Sequence, residues 1–281
     1  MVVLGIDAAW TSTNPSGLAV LVKNNHTTGW NCVAVAPSYT AFFGLAENKP
    51  VDWGVAHKGT WPEPAHILAC AERLAGARVD LIAIDMPLSK REIDGRRPAD
   101  REISKEYGSR WCSAHSPSQI RPGRLGAVVS EEFRRLGYSL ATTEERPGTL
   151  PRIIEVYPHP ALLSLLGRDM RVPYKVSRAK QYWPGKSVTE RVNLLLGEYT
   201  AIYNRLSELF GEIPFHLPAP AKVHNLSNLK RYEDALDAIV SAWVGIQYTT
   251  GEAMPFGDAD AAVWCPVSSI WSAKETTQSE A

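Results

Sequence analysis

Three short apolar runs open the chain, and no other feature restricts its fold as much. Residues 1–9 read MVVLGIDAA: Val2, Val3, Leu4 and Ile6 form an apolar run that Gly5 interrupts and Asp7 ends. A run this short, with β-branched residues, predicts a buried strand. Residues 18–23 (LAVLVK) and 30–36 (WNCVAVA) repeat the pattern after the turn formers of 11–17 and Asn24-Asn25-His26. Strands joined by short polar links pair antiparallel, so these three form a meander. Residues 64–77 then place Ile67, Leu68, Ala71, Leu74 and Ala75 at helical spacing, and 79–85 (VDLIAID) reads as a strand. A helix over 125–136 and a strand over 152–156 (RIIEV) follow. Residues 161–166 open a helix ended by Gly167, 188–209 and 229–248 are long helices, and 261–264 is a last short strand. Residues 37–62, with three prolines, carry no readable period. A meander followed by alternating helices and strands predicts an α/β protein, a mixed sheet covered by helices.

Charge narrows the partners. Lys+Arg and Asp+Glu each number 30, so the chain is neutral overall and any nucleic-acid contact has to rest on a local patch. Residues 89–126 supply one, with nine Lys and Arg that include Arg97, Arg101 and Arg110, and read as a basic excursion from the core. Lys175, Arg178 and Lys180 form a second small group near Tyr174 and Tyr182. Arg101, Arg110 and Lys175 are therefore candidate substrate-binding residues, though charge runs also serve simply as solvated surface. Cys32, Cys70, Cys112 and Cys265 are scattered without a C-x-x-C pair, which argues against a zinc knuckle and a disulfide framework. No apolar run approaches the ~18 residues of a membrane span, and no signal segment opens the chain. The expectation is a soluble cytoplasmic protein with no membrane partner. It has one domain over 1–271, with inserted loops at about 89–126 and 168–186, and a disordered tail over 272–281. The oligomeric state has no signature in the sequence.

The chemistry is concentrated in carboxylates. Asp7 and Asp85 end predicted strands, Glu155 lies inside another, and Asp234 and Asp237 share one face of the late helix by their i, i+3 spacing. Buried together, such acids need a cation, and oxygen ligands suit Mg²⁺ or Mn²⁺. Each also has a local use. Asp7 can cap the following turn, Asp85 can start the turn at Met86-Pro87, and Glu155 can pair with a basic neighbour. Glu233, Asp234 and Asp237 can answer a helix dipole. His159, after the Glu155-Val156-Tyr157-Pro158 run, is a further candidate for substrate contact.

Four segments together, GIDAAW, AIDMPL, IIEVYPHPAL and RYEDALDAIVSAWVG, resemble in order the motifs of a widespread family of domains of unknown function. That family is described as predicted nucleases with a ribonuclease H-like fold. The resemblance spans roughly residues 2–266. It implies a mixed five-stranded sheet flanked by helices, its first three strands antiparallel, and on that frame the basic excursion of 89–126 is an insertion after strand four. It also implies a metal site. In metal-dependent nucleases of this fold an Asp of strand one, an acid at the end of strand four and one or two acids on the last helix bind the metals. These match Asp7, Asp85 and the Asp234/Asp237 pair. Glu155 belongs to the family's own motif, as a metal ligand or a supporting group.

The resulting expectation is a metal-dependent nuclease or phosphodiesterase with Asp7, Asp85, Glu155 and Asp237 as catalytic acids. Asp7, Asp85, Asp234 and Asp237 would hold Mg²⁺ or Mn²⁺. An ATPase or phosphotransferase using the same acids is the alternative, as is a non-catalytic binding protein that keeps the fold.

Overall fold

The computed structural model describes residues 1–23 and 29–267. The expected turn at Asn24-Asn25-His26 and the expected tail at 272–281 lie outside the described residues. The strands are β1 (Val2–Asp7), β2 (Gly17–Lys23), β3 (Trp30–Ala36), β4 (Leu81–Asp85), β5 (Ser139–Leu140), β6 (Arg152–Val156), β7 (Ala253–Gly257) and β8 (Ala262–Pro266). They form one mixed sheet in the order β3-β2-β1-β4-β6-β8-β7, with β5 beside the start of β6. β1 pairs antiparallel with β2, and β2 with β3, whereas β1, β4 and β6 run parallel. The sheet thus has eight strands where five were expected. The additions are short: β5 has two residues, and β7 with β8 forms a hairpin that extends the β6 edge.

Helices cover both faces. On one lie α5 (Pro158–Leu166), the short α6 (Ala179–Tyr182), α7 (Val188–Phe210) and α8 (Lys230–Thr250), and on the other α1 (Tyr39–Ala46), α2 (Pro64–Ala75) and α4 (Leu125–Arg135). The period-2 alternation of strands separates the two cores. Val3, Leu81 and Ala83 pack under α8, while Val2, Leu4, Ile6, Ile82 and Ile84 pack under α1, α2 and α4. α8 is buried on nearly every side, as its apolar sequence demands. It enters from a short 3₁₀ turn capped by the Asn225 side chain and stops at Gly251, whose φ of 80° is left-handed.

α8 lies so close to the sheet because β1 and β2 carry glycine where it crosses. A Cβ at Gly5 would stand 2.1 Å from the Ala238 carbonyl oxygen, and one at Gly17 would stand 2.0 Å from that of Asp234. Both neighbours are backbone, which cannot step aside as a side chain can. The two glycines therefore set the height of α8 above β1 and β2.

Residues 89–126 do not stand away from the core as the basic run suggested. They contain α3 (Pro98–Tyr107), whose Ala99, Ile103 and Tyr107 pack against Phe256 and Val263 of the β7–β8 hairpin. Residues 37–62 likewise hold a helix, α1, capped by the Ser38 hydroxyl, which accepts from the Ala41 N–H at 3.1 Å. No helix among the described residues is long and apolar enough to cross a membrane.

Candidate active site

Asp7 and Asp85 are register partners on the neighbouring parallel strands β1 and β4. They continue the alternation of Val3-Gly5 and Leu81-Ala83, so both project from the face that α8 covers. Asp234 and Asp237 come down from the first turns of α8, at the height fixed by Gly5 and Gly17. Glu233 belongs to the same turn. Five carboxylates thereby converge at the carboxyl ends of adjacent parallel strands, the position where α/β sheets gather ligands.

Two lysines stand among them. Lys175, from the segment after α5, pairs with both Asp237 and Glu233, and Lys230 pairs with Asp234 and with Glu233. Asp237 also accepts from the Tyr174 hydroxyl at 2.6 Å, and Glu233 from the Val176 N–H at 2.6 Å. Both Asp237 oxygens are therefore engaged. Asp234 Oδ2 is different: it is buried and has no hydrogen-bond partner among the described residues.

The electrostatics follow from this layout. Burial, then the nearby Asp7, push the Asp85 carboxyl well above the usual range. Burial also raises Asp234, with Asp7 and Glu233 adding to it against Lys230. Asp237 is pushed up to about 6 by burial, against the pull of Lys175. Glu233 moves the other way, because Lys230 and Lys175 together outweigh its burial. Lys175 is buried too, yet Asp237, Tyr174 and Glu233 hold its ammonium charged. Five acids face two ammonium groups, and the surplus negative charge is what lifts the aspartates.

Glu155 is placed otherwise. Its register partner on β4 is Ile84, whose side chain packs under α2 and α4, so Glu155 lies on the opposite side of the sheet from Asp7 and Asp85. Arg97 grips it bidentately, donating to both carboxylate oxygens at 2.6 Å, and the Leu88 N–H donates at 2.7 Å. The same guanidinium donates to Asp100 at 2.7 Å and to the Leu88 carbonyl at 2.6 Å. Glu155 thus ties β6 to the start of α3.

A cleft of about 260 Å³ opens beside this cluster. Asp85 and Glu233 line it from the cluster, Glu155 from the other side of the sheet, and Trp10 forms part of its wall. Of the expected substrate-binding residues, Lys175 and His159 line it. Arg101 is exposed on α3 and donates to the Arg96 carbonyl, and Arg110 offers its carbonyl to the Arg171 N–H; neither side chain lines the cleft. The cleft also holds Lys230 and Arg171, which sequence reading passed over, Tyr174, which it noted only beside the second basic group, and His115, to which it gave no role. Only Lys230 left a local signal, through its i, i+3 and i, i+4 spacing to Glu233 and Asp234.

The sequence model of the family described as "Protein of unknown function (DUF429)" matches residues 5–262. The chain belongs to this family. The match begins at Gly5 and ends at Ala262, so it encloses every carboxylate of the cluster. No curated protein and no solved structure shows a significant match to this DUF429 member.

The donor set suits a hard divalent cation in kind. It is all carboxylate, it carries surplus negative charge, and Asp234 Oδ2 is a buried acceptor without a donor. As the side chains stand, no three His, Cys, Asp or Glu of the described residues are gathered in metal-holding geometry. Lys175 and Lys230 take up the positive role instead.

Proposed function

We propose that the cleft is the active site of a divalent-cation-assisted nuclease or phosphodiesterase. One observation carries the reading: Asp7 and Asp85 are in register on adjacent parallel strands, directly beneath the acids of α8. The strand order β3-β2-β1-β4-β6, antiparallel and then parallel, supports a ribonuclease H-like fold to which β5, β7 and β8 are additions. Asp7, Asp85 and Asp234 would hold Mg²⁺ or Mn²⁺ together with Asp237, whose oxygens here take Tyr174 and Lys175. When bound, the cation supplies Lewis acidity at phosphorus and lowers the pKa of an attacking water.

The chain's own groups do the rest. Lys175 and Lys230 offset the charge of Glu233, Asp234 and Asp237, so that an anionic substrate can approach a floor of carboxylates. Tyr174 holds Asp237 in place through its hydroxyl. Arg97, by fixing Glu155, anchors the wall from which Pro87 and Tyr157 line the cleft.

A cleavage screen tests this reading. Single strands, duplexes, RNA–DNA hybrids and branched junctions are incubated with Mn²⁺ or Mg²⁺, with Asp85→Asn as control. Cleavage of at least one substrate that falls 100-fold or more in Asp85→Asn, on the order of 3 kcal/mol in transition-state stabilisation, is the expected result. Cleavage that survives Asp85→Asn overturns the assignment of the site. ATP turnover without strand cleavage would transfer the same acids to phosphoryl transfer.

A further inference from the structure

One wall of the cleft is basic and has no acid to answer it. Arg171 and Arg178 both line the cleft, and among the described residues no carboxylate stands within ion-pair distance of either guanidinium. Two histidines, His115 and His159, complete this wall. Arg171 is held in position: one guanidinium nitrogen donates to the Trp111 carbonyl at 3.2 Å and the other to His159 Nε2 at 2.5 Å. Trp111 presents that carbonyl from a left-handed backbone, φ 63°, a conformation that a bulky residue adopts only when its surroundings impose it.

The His159 contact fixes a tautomer. An arginine can only donate, so Nε2 must be the acceptor and the ring proton sits on Nδ1. His159 is 5% exposed, and Nδ1 is buried with no hydrogen-bond partner among the described residues, so a donor is left unanswered. Arg171 Nε is a second buried, unpaired donor. Buried donors without acceptors are costly, and where they cluster they point to a missing acceptor. The field agrees with the geometry. Burial and then Arg171, Lys175 and Arg178 lower the His159 pKa, and burial with the same three cations lowers that of His115. Positive charge on this wall is in excess, as negative charge is on the floor.

We infer that Arg171, Arg178, His115 and His159 form a subsite for a phosphomonoester dianion, the terminal phosphate of a nucleotide or nucleic-acid strand. Two unpaired guanidinium groups match the charge of a monoester, which at neutral pH carries close to two negative charges, whereas an internal diester carries one. This deepens the hydrolase reading, on which it rests for the identity of the substrate, by making the site one that selects a strand end.

Calorimetric titration without divalent cations tests the subsite independently of turnover. The probes are inorganic phosphate and a set of dinucleotides with a 5′-phosphate, a 3′-phosphate or hydroxyl ends only. Wild type is expected to bind phosphate, and one phosphate-ended dinucleotide at least tenfold more tightly than the hydroxyl-ended one. Arg178→Gln, whose parent side chain makes no hydrogen bond among the described residues, and Arg171→Gln should each weaken binding by tenfold or more. Asp85→Asn should retain it. No phosphate binding at millimolar concentration overturns the subsite, as does equal affinity for phosphate and hydroxyl ends or unchanged affinity in Arg178→Gln. Cleavage without end preference would remove the subsite and leave the hydrolase. Phosphate binding without cleavage of any strand would do the reverse.

Discussion

Asp85 shows how one side chain reports the state of the whole cluster. Its folded pKa lies above the unfolded value near 3.9, so the folded protein holds the proton longer than the unfolded chain does. Ionised Asp85 therefore costs stability once the pH has risen past its folded pKa, and below the unfolded pKa the cost is absent. Asp237, pushed up to about 6, behaves in the same sense. Asp85→Asn should raise the Tm of the cation-free protein at pH 7.5 by a few degrees, on the order of 1 kcal/mol or more. That advantage should fade as the pH falls toward about 4. A variant less stable than wild type at pH 7.5 would contradict this. Arg97 gives the opposite case. Arg97→Ala strands a buried Glu155 and a buried Asp100, and should cost about 3–5 kcal/mol in urea unfolding; a loss below about 1 kcal/mol would show the pair to be dispensable. None of this could be read from neighbours in sequence. Arg97 lies 58 positions from Glu155 and Lys175 lies 62 from Asp237, and such pairings leave no periodic trace. The side of the sheet that Glu155 occupies was available in principle. Ile154 and Val156, not Glu155, share the face of Asp7 and Asp85, but that follows only once the β4–β6 register is known.

Helix α8 is where packing and chemistry meet. Its position depends on Gly5 and Gly17, because a methyl at either would drive into a helix carbonyl. Gly5→Ala should destabilise the protein by about 3 kcal/mol or more, the upper end for overpacked cores, as measured by urea unfolding. Gly245→Ala should cost less, since its nearest neighbours are the Val3, Leu81 and Ala83 side chains, which have some room to adjust. Equal costs would mean that the backbone contact does not set the helix height. The elements that were legible in the sequence are those with a strong period or a clean apolar run: the three-strand meander, β4, β6, β8, α2, α4, α7 and α8. α1 was hidden among prolines and aromatics, and α3 by its charge, because Arg97 and Asp100 neutralise each other inside the fold. The hairpin strand β7, AMPFG, carries Pro255 and Gly257, residues that normally argue against a strand. α5 begins three residues earlier than its apolar run, since Pro158 at its first position has the backbone angle a helix start requires.

Taken whole, the described residues form a sheet with a core on each face, a smaller apolar cluster between α3 and the β7–β8 hairpin, and a polarised cleft at the carboxyl ends of the parallel strands. Its net charge of zero conceals that polarity: carboxylates are gathered on the floor and guanidinium groups on the wall. In the function proposed above, a phosphate substrate accompanied by Mg²⁺ or Mn²⁺ would answer both the acid floor and the basic wall. The order of the three-strand meander and the four acidic motifs made the floor visible in the sequence. The wall was visible only in part: Arg178 and His159 stood out in the sequence, whereas Arg171 and His115 come from irregular segments whose placement only the fold decides. The most direct test of the floor is calorimetric titration of Mn²⁺ into wild type, Asp7→Asn and Asp85→Asn at pH 7.5. Saturable binding to wild type that is weakened at least tenfold in both variants is the expected result. No binding to wild type, or binding unchanged in both variants, would contradict a cation site at Asp7 and Asp85.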